Sequence, residues 1–115
     1  MTELAQRHCK ACEKGTPPLQ PDQVQHLMEQ VPGWDLEEGK LMRDVKVKNF
    51  KEALALVNGI GDLAEQEGHH PDLCIHGWNH VKIELSTHSI GGLSDNDFIL
   101  AAKINELQLQ PSASG

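Results

Sequence analysis

The stretch HVKIELS, residues 80–86, alternates without a break: Val81, Ile83 and Leu85 fall on one side, Lys82, Glu84 and Ser86 on the other. Such a period of two belongs to a strand with one buried and one wet face, and so to an antiparallel sheet covered on one side only. A second stretch, residues 34–50, repeats the constraint. Trp34 and Leu36 alternate with Asp35 and Glu37, Gly39 supplies a turn, and Leu41, Val45 and Val47 then oppose Met42, Asp44, Lys46 and Lys48. This reads as a hairpin.

The cover for the sheet shows a different period. In residues 21–31, Val24, Leu27, Met28 and Val31 recur at i, i+3, i+4 and i+7, Pro21 suits a first helical turn, and Pro32-Gly33 ends the run. In residues 49–68, Asn49 is a suitable N-cap with Glu52 three residues on, and Gly68 is a stop. The spacing there predicts a buried stripe of Phe50, Leu54, Val57, Ile60 and Ala64. The last helix starts behind Ser94, with Asp97 three residues later, and Phe98 to Ala102 are apolar nearly all round. A helix with two apolar faces needs two partners: the sheet, and on this reading a second subunit.

The expected fold is therefore α+β, a four-stranded antiparallel sheet with helices packed on one face in the order α-β-β-α-β-β-α. Residues 1–18 read as a flexible tail, 19–109 as a single domain, and 110–115 as a disordered end.

Bulk properties exclude several function classes. The chain has 115 residues, with 10 basic and 17 acidic side chains and a net charge of −7. That balance argues against nucleic acid, which needs clustered Lys and Arg. Aromatic residues make up 3%, too few for a base-stacking platform. No apolar run approaches the roughly 20 residues that span a bilayer, so no membrane partner is expected. The N-terminal MTELAQRHCKACEKG lacks the apolar core of a secretory signal, and the expected compartment is the cytoplasm. Three cysteines, Cys9, Cys12 and Cys74, are an odd set that argues against a disulfide framework.

Seven histidines are many, and five of them lie between residues 69 and 88. A metal site does not follow from their spacing. The adjacent pair His69-His70 lacks the i, i+4 separation that puts two imidazoles on one helical face, and no metal is assigned. His8, Cys9 and Cys12 form half of a zinc knuckle without a second half, and read as part of a mobile, reduced tail. His76 and His80, beside Gly77 in an expected turn, read as solvated. His69 and His70 differ, because Gly68 frees the backbone before them and Pro71 restricts His70 to extended conformations. Two aimed imidazoles suit acid–base chemistry, since histidine exchanges protons near neutrality. His88 ends the strand just before the SIGG turn, and a strand end can meet a helix end at one rim of a sheet.

The run EQEGHHPDLCIHGWNHVKIELSTHSIGGLSDNDF, residues 65–98, resembles the pterin-4a-carbinolamine dehydratase family. Glu65, His69-His70-Pro71, Trp78, the LSTH ending in His88 and the GLSDND ending in Asp97 carry the resemblance. The upstream PGWDLEEGK, with Trp34, looks similar too, and the likeness spans roughly residues 19–107. It implies an enzyme, a hydro-lyase that dehydrates 4a-hydroxytetrahydropterin to the quinonoid dihydropterin in tetrahydropterin recycling. Histidines serve as acid and base, and no cofactor is needed. It implies His69, His70 and His88 as catalytic residues. Gly68, Pro71, Ser86, Thr87, Ser89, Trp34 and Asp97 match positions at or near the substrate. Trp34 also reads as a core anchor, and Asp97 as a helix N-terminal acid with a supporting role. Gly68 stands where some members carry an acidic residue, which removes carboxylate help from that position. The partners implied are a small pterin and further copies of the chain, as a homodimer or homotetramer. Two alternatives share the resemblance: a dimerisation cofactor that uses the apolar second face of the last helix, and a divergent enzyme of another pterin pathway, such as a molybdopterin-related one.

Overall fold

The alternation of residues 80–86 lies at the middle of the sheet. The protein is described here by a computed structural model, which covers the backbone of residues 3–9, 17–87 and 91–114 and the side chains of residues 4–9, 17–87 and 91–107. Its elements are α1 (Glu3–Gln6), α2 (Pro21–Met28), β1 (Asp35–Glu37), β2 (Lys40–Lys46), α3 (Phe50–Glu67), β3 (Asp72–His76), β4 (His80–Leu85) and α4 (Asp95–Ser114). The strands pair antiparallel throughout in the order β1-β2-β4-β3. Leu41 faces Leu85 across the β2–β4 ladder, and Leu73 faces Ile83 across β3–β4, so odd-numbered residues of β2, β3 and β4 share the inward face. Val81, Ile83 and Leu85 are fully buried there and join Ile60 of α3 and Phe98, Leu100 and Ile104 of α4 in one core. The expected fold class is the one observed.

Local chemistry explains the element ends. Asn49 caps α3 by accepting the Glu52 N–H at 2.8 Å, and the Glu52 side chain reaches back to the Lys48 N–H at 3.1 Å. Gly68 closes α3 in the left-handed conformation, φ 67°, and its N–H bonds to the Ala64 carbonyl at 2.9 Å. Gly33 has φ 88°, a left-handed conformation that favours glycine, and a Cβ there would sit 2.6 Å from the Arg43 guanidinium and force it to shift.

Several expectations are corrected. The buried stripe of α3 is Ala53, Leu56, Ile60 and Ala64, whereas Phe50 is 50% and Leu54 44% exposed. Phe50 and Leu54 lie roughly a quarter turn off the middle of that stripe. The two alanines let α3 sit close to its neighbours, which larger side chains would prevent. The helix α2 ends at Met28, and Val31 is buried from the turn that follows.

Residues 1–18 are not wholly a tail. The short α1 packs on α4, with Leu4 2% exposed and Ala5 buried beside it. Lys103 Nζ binds the Ala5 carbonyl at 2.8 Å. One turn with one leucine is too short to show a period, so the sequence pattern misses it. The second apolar face of α4 thus has a partner within the chain. The helix α4 also continues to Ser114, past the expected boundary at residue 109.

Trp34 is buried, and its Nε1–H donates to Asn105 Oδ1 at 2.8 Å. The same oxygen accepts from Arg43 Nη1 at 2.6 Å, and Asn105 Nδ2 donates to the Pro32 carbonyl at 3.1 Å. This knot ties the Pro32–Trp34 turn to β2 and α4.

Candidate active site

The end of α3 and the start of α4 meet at His69. The left-handed Gly68 turns the chain off the helix axis, and the His69 N–H still reaches back to the Ala64 carbonyl at 3.3 Å. The His69 ring then lies against Asp97 in the first turn of α4, with Nε2 2.6 Å from Oδ1. Asp97 is fully buried and the His69 side chain is 12% exposed. Asp97 has further donors on its other oxygen: Thr87 Oγ1 at 2.8 Å and the Ser94 N–H at 2.9 Å. Because the Thr87 proton goes to Asp97, the 2.7 Å contact between Thr87 Oγ1 and Ser94 Oγ has Ser94 as donor. One buried carboxyl therefore holds a histidine, a strand-end threonine and the N-cap of α4 in a single network. With Asp97 as acceptor, Nε2 carries the ring proton, and Nδ1 of the neutral ring is left as the proton acceptor.

His70 has a different setting. Its Nε2 lies 2.6 Å from Glu65 Oε2, with the two side chains 60% and 79% exposed. Carboxylate help to the pair thus comes from Glu65, on the preceding turn of α3, and from Asp97. The glycine at 68 does not remove it. Pro71, half-buried, leads from the pair into β3.

Ser86 and Thr87 follow β4. Thr87 pairs with Gly92: its N–H binds the Gly92 carbonyl at 2.9 Å. Both residues line a cavity of about 240 Å³ together with Glu38, Gly39, Lys40, Gly91 and Gly92. His88 and Ser89 lie outside the described residues. Of the residues expected at the site, the structure joins His69, Asp97 and Thr87 in direct contact and places Gly68, His70, Pro71 and Ser86 beside them in the chain. Trp34 stands apart. Its partner Asn105 is eight residues from Asp97, about 12 Å along α4, and it acts there as a core anchor.

The sequence pattern left two clusters unread. Glu67, two residues before the pair, accepts from the Cys9 N–H at 2.7 Å and His8 Nδ1 at 3.0 Å, with Lys103 Nζ 3.9 Å away. Burial alone would raise the Glu67 carboxyl, but the Cys9 N–H, His8 and Lys103 together outweigh it and hold the group below its usual range. His8 and Cys9 are thus held by Glu67, and Cys9 Sγ lies 3.5 Å from the Asn96 carbonyl. Cys12 lies outside the described residues.

The other cluster is on the wet face of the sheet. His76 ends β3 and His80 begins β4, and neither is a solvated turn residue. Asp44 of β2 binds His76 Nε2 through one oxygen and His80 Nδ1 at 2.9 Å through the other. Partial burial would raise the Asp44 carboxyl, but the His80 and His76 contacts outweigh it and lower it. The signal was available in each strand's own alternation: Asp44 alternates with Val45, His76 with Ile75 and His80 with Val81, so all three face outward.

A sequence model of the family described as "Pterin 4 alpha carbinolamine dehydratase" matches residues 17–107. The mitochondrial pterin-4-alpha-carbinolamine dehydratase 2 of Arabidopsis thaliana is 47% identical, over 96% of this chain and 62% of its own length. A Rubrobacter xylanophilus protein that bears the same dehydratase name is 44% identical over 93% of this chain and all of its own. A crystal structure of a "transcriptional coactivator/pterin dehydratase" from Brucella melitensis superposes with a TM-score of 0.73 at 26% identity, over 78% of this chain and 97% of that one. With the match to residues 17–107 and the Asp97-held histidine of the HHP turn, the chain belongs to the pterin-4a-carbinolamine dehydratase family of hydro-lyases.

Proposed function

We propose that this chain dehydrates 4a-hydroxytetrahydropterin to the quinonoid dihydropterin by histidine acid–base catalysis, serving tetrahydropterin recycling. In that reaction the C4a–O bond breaks, the hydroxyl takes a proton and leaves as water, and N5 gives up its proton as the N5–C4a double bond forms. Two proton positions on a rigid bicycle require an acid and a base at fixed places. The observation that carries the reading is the 2.6 Å contact between His69 and the fully buried Asp97. A carboxyl so placed fixes the tautomer and direction of the ring.

His69 and His88 share the two proton transfers, one giving to the departing hydroxyl and the other taking from N5. His88 directly follows Thr87, whose hydroxyl shares Asp97 with His69. His70, more exposed, positions the pterin, with Ser86, Thr87, Ser89, Gly68 and Pro71 as neighbouring contacts. Asp97 is a positioning residue. The reading needs no cofactor. It places the protein in the cytoplasm; among the described residues, no helix is long and apolar enough to cross a membrane.

The chain works as a homodimer or homotetramer, and the surface that further copies would cover is the Phe50–Leu54 face of α3, which the single chain leaves exposed. A cofactor role resting on the second face of α4 has less support, because Phe98 to Ala102 are already buried within the chain. The test is turnover of 4a-hydroxytetrahydropterin beside other pterins. Acceleration over buffer with that substrate, lost in His69→Ala, supports the reading. Rates equal to buffer, or a clear preference for another pterin, refute it.

A further inference from the structure

Asp44, His76 and His80 come from three neighbouring strands, and their donor atoms all lie within 4.8 Å of one another. The rings of His76 and His80 stack with centroids 5.1 Å apart and planes 28° apart. They stand directly opposite each other in the β3–β4 register, and Asp44 stands diagonally across β2–β4. We propose that this triad is a binding site for a divalent metal ion of the zinc class, with His76 Nε2, His80 Nδ1 and one Asp44 oxygen as ligands and water completing the coordination.

The donor set is the argument. Imidazole nitrogen and carboxylate oxygen suit borderline divalent ions, and two histidines with one carboxylate leave open positions. Zinc–ligand bonds of about 2.0–2.2 Å place tetrahedral ligand atoms about 3.3 Å apart. The widest spacing, at most 4.8 Å, must close by no more than about 1.5 Å, and the His80–Asp44 contact of 2.9 Å must open slightly, both within reach of side-chain rotation on an accessible face. Each ring now directs one nitrogen at Asp44; on binding, the ion takes those two nitrogens while each neutral ring carries its proton on the other nitrogen.

The scaffold holds the ligands ready. The turn between the two histidines has Gly77 and Trp78 both at positive φ, 55° and 58°. Asn79 in that turn is buried and tied to the strand end of β2: the Val47 N–H binds the Asn79 carbonyl at 2.8 Å, and Asn79 Nδ2 donates to the Val47 carbonyl at 3.3 Å. The ends of three strands are thereby fixed to each other. Lys82, the direct register neighbour of Asp44, turns instead to Glu84 at 3.6 Å. Among the described residues, the carboxylate pairs with the two imidazoles and with no ammonium group. The site uses none of the residues assigned to dehydration, so its test and that of the dehydratase reading fail separately.

The experiment is calorimetric titration of the metal-stripped full chain with Zn²⁺, with the unfolding midpoint followed in parallel. The expected result is one high-affinity equivalent per chain and a midpoint raised by the ion, because binding to the folded state alone stabilises it. His76→Ala, His80→Ala and Asp44→Asn should each weaken the affinity at least about tenfold, the lower end of what even supporting residues of metal sites contribute. Asp44→Asn keeps a hydrogen-bond acceptor for the rings while losing the charge, and so separates metal binding from a purely hydrogen-bonded role. Absence of a saturable equivalent would overturn the proposal. So would an equivalent that survives unchanged in the His76→Ala/His80→Ala double variant, since the ion would then sit elsewhere, for instance on His8 and Cys9.

Discussion

At the scale of single residues, the site depends on a division between two adjacent histidines. His69 is nearly buried and held by a carboxyl that accepts from three donors; His70 is exposed and paired with an exposed Glu65. The account predicts different kinetic losses. His69→Ala should lower kcat by about 10²–10⁴ with KM little changed, the range ascribed to a positioned general acid or base. His70→Ala should raise KM more than it lowers kcat. Steady-state kinetics of the two variants check both. Asp97→Asn can no longer accept all three donors, so it should lower kcat and displace the pH profile of kcat while leaving the far-UV spectrum native. A role in capping α4 alone would move stability but not the pH profile.

At the scale of elements, what the sequence makes legible is what periodicity reports. The strand β4 and the cap of α3 at Asn49 follow from pattern and local chemistry. The predicted stripe of α3 keeps Ile60 and Ala64 but gives way at Phe50 and Leu54, because burial there selects Ala53 and Leu56 instead. The helix α1 was missed because four residues carry no period. Its docking leads to a prediction. Leu4→Ala should destabilise the fold by about 1.5–3 kcal/mol, the range for burying a leucine side chain, and lower the unfolding midpoint by several degrees.

The same docking should respond to acid. Glu67 is held below its ordinary value in the folded chain. A depressed carboxyl adds stability above its unfolded value of about 4.3, and that stability is lost as pH falls through the lower folded value. Wild type should therefore exceed Glu67→Gln in unfolding midpoint near neutrality and lose that advantage only below about pH 4.3. Thermal unfolding of both proteins across pH 3–7 checks the window.

At the scale of the whole molecule, one sheet serves two chemistries. Its covered face builds the core, and the network at Asp97 sits where the α3 end, the β4 end and the α4 start converge. The histidine network was legible in its members but not in its contacts, because His69 and Asp97 are 28 residues apart and only the fold brings them together. The triad on the wet face was hidden for the same reason, with Asp44 and His76 32 residues apart. In the proposed homo-oligomer, the exposed Phe50 and Leu54 are the surface that other copies would cover. Phe50→Glu with Leu54→Glu should shift sedimentation toward smaller species.

The most direct test of the central claim is a stopped-flow measurement of 4a-hydroxytetrahydropterin dehydration by wild type and by His69→Ala, at saturating substrate and neutral pH. The account predicts rapid turnover by wild type and a loss of at least about 100-fold in the variant. A variant that turns over at the wild-type rate would contradict it.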